Sequence, residues 1–307
     1  MKLIDCKQLA DEVKEQVRED VSKCERSPHL LVITVEQDAG SEIYVRNKKR
    51  VAESVGIEIE HITFSEKTSQ EMLETFIEMK GQNPDIDGIL VQLPLPNHLE
   101  PSQIMDKIPK DKDVDGFTWR NLGHALIDAP HHTACTPKAI LHIIEQEFPN
   151  IEGTVVTVIG RSNIVGKPLV AELINAGATV TVCNSRTPKN VLTTVCQQSD
   201  IVIVAAGVPK LIGYQELENT QLVIDVGINK IGNSIQGDVD AGDLERHNYN
   251  GAITPVPGGV GLLTVAFLMQ NVFDAYAKQH PNLLHTQKVE NGADAPTPLH
   301  SRNTTKH

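Results

Sequence analysis

The sequence lacks the surplus of basic charge that a nucleic-acid scaffold needs. Against 28 lysines and arginines stand 40 aspartates and glutamates, a formal net charge of −12 at pH 7. Binding along a phosphate backbone requires a basic field, so that class is excluded; a small anionic ligand needs only a local positive cluster. Cysteines are few and odd in number: Cys6, Cys24, Cys135, Cys183 and Cys196 form no C-x-x-C pair. That pattern reads as free thiols in a reducing compartment. The twelve histidines make no H-E-x-x-H and no Cys/His cluster, so no metal site is expected. The opening MKLIDCKQLADEVKEQVRED is charged and helix-patterned, unlike a signal peptide, and no apolar run reads as a membrane span. A cytoplasmic protein with neither nucleic acid nor membrane as partner is expected.

What is present is an alternation of strand-like and helix-like segments over 307 residues, a length that favours two domains. HLLVITVEQD, GIEIEHITF and DGILVQLPLP read as strands; Ser41–Val55 and SQEMLETFIEMKGQ read as helices between them. Such βαβα order predicts a mostly parallel sheet covered by helices. Thr136-Pro137 reads as the N-cap and first residue of a helix reaching about Glu147. A second series follows: TVVTVIG, a helix over KPLVAELINAG, then TVTVCNS, DIVIVAAG and LVIDVGIN. The expected architecture is α/β with two domains and a cleft between them. Residues 1–120 form an N-terminal α/β catalytic domain, joined by a C-terminal helix at about 262–280. Residues 138–261 form a Rossmann-like domain, and 281–307, without periodicity, a disordered tail.

The turn VIGRSNIVGKPL follows a strand and opens a helix. Its Gly160, Ser162 and Gly166 give G-x-S-x-x-x-G rather than the dinucleotide pattern G-x-G-x-x-G. Gly160 can make the tight turn, and the helix N-terminus offers N–H groups to a phosphate. An NAD site usually places an acid about twenty residues on. Here that strand ends Cys183-Asn184-Ser185-Arg186, with Ser185, Arg186 and nearby Arg161 suited to a 2′-phosphate, which favours NADP. The local sequence equally allows Arg186 to be a plain surface charge.

Two further stretches carry unusual charges. DKDVDGFTWRNL begins like a calcium loop, with Asp111, Asp113, Asp115 and Gly116 in place, but Leu122 stands where a bidentate Glu is needed. Asp115 before Gly116 then either points a carboxylate into a cleft or belongs to a surface turn. In SEIYVRNKKRVAESVGI, Lys48, Val51 and Val55 fall within about 40° of Tyr44 on a helical wheel. Arg46, Lys49, Arg50 and Glu53 take the opposite face. On periodicity alone Lys48 is a snorkelling side chain, its stem on apolar surface and its head in water. A desolvated, reactive amine is the alternative.

YVRNKKRVAESVGI, DGILVQLPLP, KDVDGF, CTPKAI, VIGRSNIVGKPL, VIDVGIN, GDVD and TPVPGGVG occur in that order. Together they resemble the bifunctional methylenetetrahydrofolate dehydrogenase/methenyltetrahydrofolate cyclohydrolase family, over roughly residues 3–275. The resemblance implies oxidation of 5,10-methylenetetrahydrofolate with NADP⁺, then hydrolysis to 10-formyltetrahydrofolate, in one-carbon metabolism and purine biosynthesis. It implies Lys48 as acid/base, Tyr44 against the folate ring, Gln92 tuning Lys48, and Asp115 on the amino-pyrimidine edge of the pterin. Gly160, Arg161, Ser162, Ser185 and Ile228 fall in segments that line the NADP site, and a Pro255–Gly261 loop would close it. A homodimer is implied as well. Two departures stand out: Ala134-Cys135-Thr136-Pro137 where Pro-Cys-Thr-Pro is usual, and Gly261-Leu262-Leu263-Thr264 where Gly-Pro-Met-Thr is common. The alternatives are an enzyme keeping one of the two activities, a non-enzymatic NADP/folate-binding module, or an amino-acid or malate-type oxidative dehydrogenase.

Overall fold

The computed structural model describes residues 1–36, 39–232 and 234–284, apart from the side chains of residues 39–44. The chain opens with strand β1 (Lys2–Leu3) and helix α1 (Cys6–Val21), whose N-cap Asp5 accepts the Gln8 N–H at 2.9 Å. Then β2 (His29–Val35), α2 (Ala39–Val55), β3 (Glu58–Phe64), α3 (Gln70–Gly81) and β4 (Gly88–Val91) alternate. The three strands pair in parallel in the order β3-β2-β4. Leu30 to Val35 are buried along the central strand, whose neighbours and covering helices leave it no wet face. Helix α2 starts two residues before the expected Ser41. The ladder of β4 stops at Val91, and Gln92 adds one backbone bond, to Ile33 O at 2.8 Å.

Short helices α4 (Pro101–Met105) and α5 (Trp119–Ala125) lead to α6 (Cys135–Glu147). That helix begins before the predicted Thr136 cap: its N-cap is Ala134, without a side-chain bond, and Thr136 Oγ1 instead meets Thr264 Oγ1 at 3.3 Å. Next come β5 (Val155–Ile159), α7 (Gly166–Asn175), β6 (Thr179–Cys183), α8 (Lys189–Gln197), β7 (Ile201–Val204), α9 (Tyr214–Leu217) and β8 (Leu222–Asp225). A hairpin of β9 (Asn229–Ile231) and β10 (Ser234–Gln236), helix α10 (Ala241–Arg246), strand β11 (Ala252–Ile253) and helix α11 (Val260–Gln279) complete the series. The second sheet has six parallel strands in the order β1-β11-β8-β7-β5-β6. Four of these were read from the sequence. β11 and β1 are additions, and β1 carries the first residues of the chain into the second sheet.

Helix α11 belongs to both halves. Val260, Leu263, Ala266 and Phe267 join a core with α6 and strands of the second sheet. Leu268, Met269, Val272 and Ala275 join another with α1, α2 and β2. The helix is long and apolar enough to cross a membrane, contrary to the reading of no such run, but its apolar positions are spent on these two protein cores. Pro281–Leu283, expected to open a disordered tail, form a 3₁₀ turn, and Leu283 O accepts the Glu25 N–H at 3.0 Å. Leu284 forms an isolated bridge with Cys24, and residues 285–307 lie outside the described residues.

Candidate active site

Residues that follow β5, β6 and β7 line one cavity, and residues that follow β8 line a second together with Asn47 of α2; the carboxyl ends of strands are where open α/β sheets bind ligands. On the wall supplied by the first sheet, Val45, Ala52 and Val55 bury one stripe of α2, while Arg46, Lys49, Arg50 and Glu53 are exposed on the other. Lys48 sits between the two classes: the residue is half-buried, with its ammonium end enclosed by protein. Snorkelling is therefore not its geometry. Nζ donates to Gln92 Oε1 at 2.7 Å, and Gln92 Nε2 donates to Leu93 O at 2.8 Å, which aims the amide oxygen at the lysine. Burial pushes the Lys48 pKa below the ordinary lysine value, and the nearby Asp115 carboxylate partly opposes this. Asp115 is shifted the other way: burial raises it, Lys48 pulls it back, and Asp113 adds to the rise. The side chain of Tyr44 lies outside the described residues.

The acidic run divides its labour. Asp113, 1% exposed, accepts from Gly116 N at 3.1 Å, Phe117 N at 3.2 Å, Thr118 N at 2.9 Å and Asn121 Nδ2 at 2.6 Å. Its oxygens are spent on folding the loop. Gly116 follows with φ +74°, and a Cβ there would lie 2.8 Å from Ala134 N. That turn leaves Asp115 beside Lys48 and Cys135. Among the described residues, no three His, Cys, Asp or Glu gather to hold a metal ion.

On the other wall, Gly160 has φ +135°, and a Cβ would stand 2.3 Å from Ala205 O; at Gly166 it would stand 2.5 Å from Gly160 O. Only glycine lets β5 turn into α7 this tightly. Ser162 Oγ accepts from Val165 N at 3.2 Å and Gly166 N at 3.4 Å, capping the turn. Beside it lies a cavity of about 410 Å³, lined by Gly160, Arg161, Ser162, Ser185, Lys189 and Ala205, among others. Arg186 does not line it; Lys189 does, and pairs with Glu216 at 2.8 Å. Ile228 lines a second cavity of about 190 Å³ that also takes in Asn47 of α2 and the whole Pro255–Gly261 loop. A dinucleotide fits this donor set: a glycine cradle, a cavity beside it and cationic groups at its rim.

Residues 4–115 match the tetrahydrofolate dehydrogenase/cyclohydrolase catalytic domain, and residues 134–280 match the NAD(P)-binding domain of the same enzymes. The chain belongs to the tetrahydrofolate dehydrogenase/cyclohydrolase family. The bifunctional protein FolD of Vesicomyosocius okutanii is 42% identical over 277 residues, covering 90% of this chain and 99% of the relative. FolD of Moorella thermoacetica is also 42% identical, covering 89% and 98%. Among solved structures, the bifunctional FolD dehydrogenase/cyclohydrolase of Campylobacter jejuni superposes with a TM-score of 0.86 at 35% identity, covering 91% and 99%. A Trypanosoma brucei FolD, complexed with NADP cofactor and inhibitor, gives a TM-score of 0.84 at 31%, covering 90% and 97%.

Within this family frame, the structure brings Lys48, Gln92 and Asp115 together and sets Gly160, Arg161, Ser162 and Ser185 around one cavity, with Ile228 in the neighbouring one. Three residues escaped the sequence reading. Cys135, in the quoted CTPKAI, has its thiol pushed far above the usual range by burial and by Asp115. Asp225 accepts from Gly227 N, Asp238 N and Val239 N, each at 2.9 Å, and burial raises it to about 6. Asp238 in turn accepts from Ala206 N at 2.7 Å and Gly207 N at 2.8 Å. The signals for the two aspartates were VIDVGIN and GDVD, where a glycine follows Asp225 by two residues and another directly precedes Asp238: a Cβ at Gly237 would stand 1.9 Å from Asp225 Oδ2. Of the two departures, Ala134 is buried at the start of α6, and Leu262 donates its N–H to Gly259 O at 3.0 Å, a bond proline cannot make.

Proposed function

We propose that this chain oxidises 5,10-methylenetetrahydrofolate to the 5,10-methenyl cation with NADP⁺ and hydrolyses that cation to 10-formyltetrahydrofolate. The observation that carries this reading is the enclosed Lys48 ammonium, 2.7 Å from Gln92 and within electrostatic reach of Asp115. An ordinary lysine, with pKa about 10.4, is a poor base at neutral pH. Desolvation makes the neutral amine accessible, and a bound substrate cation lowers its proton affinity further. Water attacks the methenyl carbon, Lys48 takes its proton, and the same lysine returns a proton to the departing ring nitrogen. Gln92 holds the amine in line through its oxygen. Asp115 receives the amino-pyrimidine edge of the pterin; Tyr44 is assigned to the ring system by the family resemblance alone.

NADP⁺ supplies the hydride acceptor when bound. Gly160 and the α7 N-terminus would hold its pyrophosphate, Arg161, Ser162 and Ser185 would serve its ribose phosphate, and Ile228 would lie toward the nicotinamide end, in the neighbouring cavity. The division of labour follows: residues 1–120 with the helix at 262–280 for folate, residues 138–261 for nucleotide. The working state is a cytoplasmic homodimer. Mixing protein, NADP⁺ and 5,10-methylenetetrahydrofolate while following NADPH and methenyl absorbance tests the reading. NADPH should accumulate while methenyl absorbance passes through a maximum and decays; no NADPH would overturn it.

A further inference from the structure

Asn271 lies in the middle of α11, 1% exposed, and lines neither the nucleotide cavity nor the one beside Ile228. A buried carboxamide among the apolar buried positions of the helix demands partners, and this one uses both ends. Nδ2 donates to Val114 O at 2.9 Å and to Thr133 O at 3.0 Å, and lies 3.5 Å from Cys135 Sγ. Oδ1 accepts from Lys138 Nζ at 3.0 Å. Because an ammonium only donates, Lys138 fixes which end of the amide is oxygen and turns the NH₂ toward the two carbonyls. Lys138 is itself held 3.7 Å from Asp274 Oδ2 and 5.4 Å from the centre of the Phe267 ring.

The two carbonyls belong to different segments. Val114 immediately precedes Asp115; Thr133 stands two residues before Cys135. One side chain thus ties both segments to the pillar helix that joins the two cores. We infer that Asn271, oriented by Lys138, is a positioning residue that sets the Asp115 carboxylate at the depth where it meets the pterin. This deepens the proposed function and rests on its assignment of Asp115. Asn271 acts through Asp115 and touches no reacting atom.

Asn271→Asp is the discriminating variant. It keeps the size and the acceptor for Lys138 but cannot donate to either carbonyl, so the loop loses both anchors. The folate KM should rise at least about tenfold, since displacement of a positioning group by an ångström is costly. NADP⁺ affinity and the far-ultraviolet circular dichroism should stay as in the parent, and kcat at saturating folate should fall less than KM rises. A purely structural role would lower stability or active fraction without splitting KM from kcat. Lys138→Met frees the amide to rotate while leaving Asn271 in place, and should raise the folate KM in the same sense by a smaller factor. It serves in place of Asn271→Asp if that variant does not fold. A folate KM within twofold of the parent in the folded variants would overturn the inference. Asp115→Asn, assayed in parallel, separates the two failures: if it too leaves KM unchanged, the pterin assignment of Asp115 fails; if it alone raises KM, only the role of Asn271 fails.

Discussion

The two walls of the cleft solve different problems with different materials. The folate wall gathers ionisable side chains out of water: Lys48 is depressed, while Asp115 and Cys135 are raised, each chiefly by burial. The nucleotide wall is built from backbone. Its glycines bring peptide groups into a tight turn, and its charged groups, Arg161 and Lys189, remain exposed. Proton transfer needs a group whose affinity has been moved toward the working pH, and burial does this. Holding a phosphate needs donors at fixed positions, and a turn of glycines followed by a helix supplies them without burying any charge. Loss of the lysine should therefore cut hydrolysis and spare nucleotide binding, whereas damage to the turn should weaken nucleotide binding and spare hydrolysis.

The largest effect expected is that of Lys48→Met. Cyclohydrolase activity should fall by about 10³-fold, within the range of a general acid/base, while the NADP⁺ dissociation constant stays unchanged. Full hydrolysis by the variant would end the proposed role. The depressed pKa also fixes a sign. The amine is the base when neutral, so hydrolysis should rise with pH and level off below the pH at which an ordinary lysine deprotonates. Asp115→Asn removes a carboxylate that favours the ammonium, and should move that rise to still lower pH.

Gly160→Ala is the counterpart on the other wall. A Cβ there meets Ala205 O at 2.3 Å in a conformation, φ +135°, that side chains rarely adopt. Strain of about 1–3 kcal/mol follows, enough to cost up to about 10²-fold in NADP⁺ affinity if the turn opens. Methenyl hydrolysis, assayed on the preformed cation without nucleotide, should survive. Loss of both activities together would mean that the two walls are not separable.

How legible each wall was in the sequence follows from the range of its contacts. The charged face of α2 and the strand–glycine–helix turn at Gly160 are local patterns, and the structure keeps both; the buried stripe of α2 instead runs through Val45, Ala52 and Val55, leaving Lys48 and Val51 half-buried at its edge. Gln92 against Lys48 crosses 44 residues and was reachable only through family resemblance. Nothing in DKDVDG distinguishes Asp113 from Asp115 by type; the difference arises because Asp113 meets four N–H donors that the loop itself turns inward. Asn271 is 157 residues from its partner Val114, in a helix whose apolar run conceals it. β1 likewise joins the second sheet through β11, some 250 residues on, by a pairing that two residues of sequence cannot announce.

A smaller effect concerns Asp225, which stands where the nucleotide wall departs from its own rule by burying an acid. Its native pKa of about 6 exceeds the model-peptide value near 3.9. The native state therefore binds a proton that the unfolded chain does not between those two values. Stability should grow as pH falls through 6 and level off near 4, by at most about 3 kcal/mol. Thermal unfolding of the parent and of Asp225→Asn at pH 7 and pH 5 checks this: the parent should gain on acidification relative to the variant. A parallel pH dependence in the two would show that the carboxylate titrates at its unfolded value.

The smallest effect sharpens the choice of nucleotide. Arg161 and Lys189 are exposed, so water and salt screen whatever they contribute to a 2′-phosphate. Lys189 is already engaged with Glu216, and Arg161 is the freer group to turn toward a ligand. Arg161→Ala should lower the NADP⁺ over NAD⁺ preference by about tenfold, the value of one charge-assisted hydrogen bond, and the loss should shrink as salt is raised. Lys189→Ala should do less, because Glu216 competes for the same ammonium. If Lys189→Ala proves the larger, the 2′-phosphate lies nearer α8 than the turn at Gly160, and Ser185, which lines the same cavity, becomes its principal neutral donor.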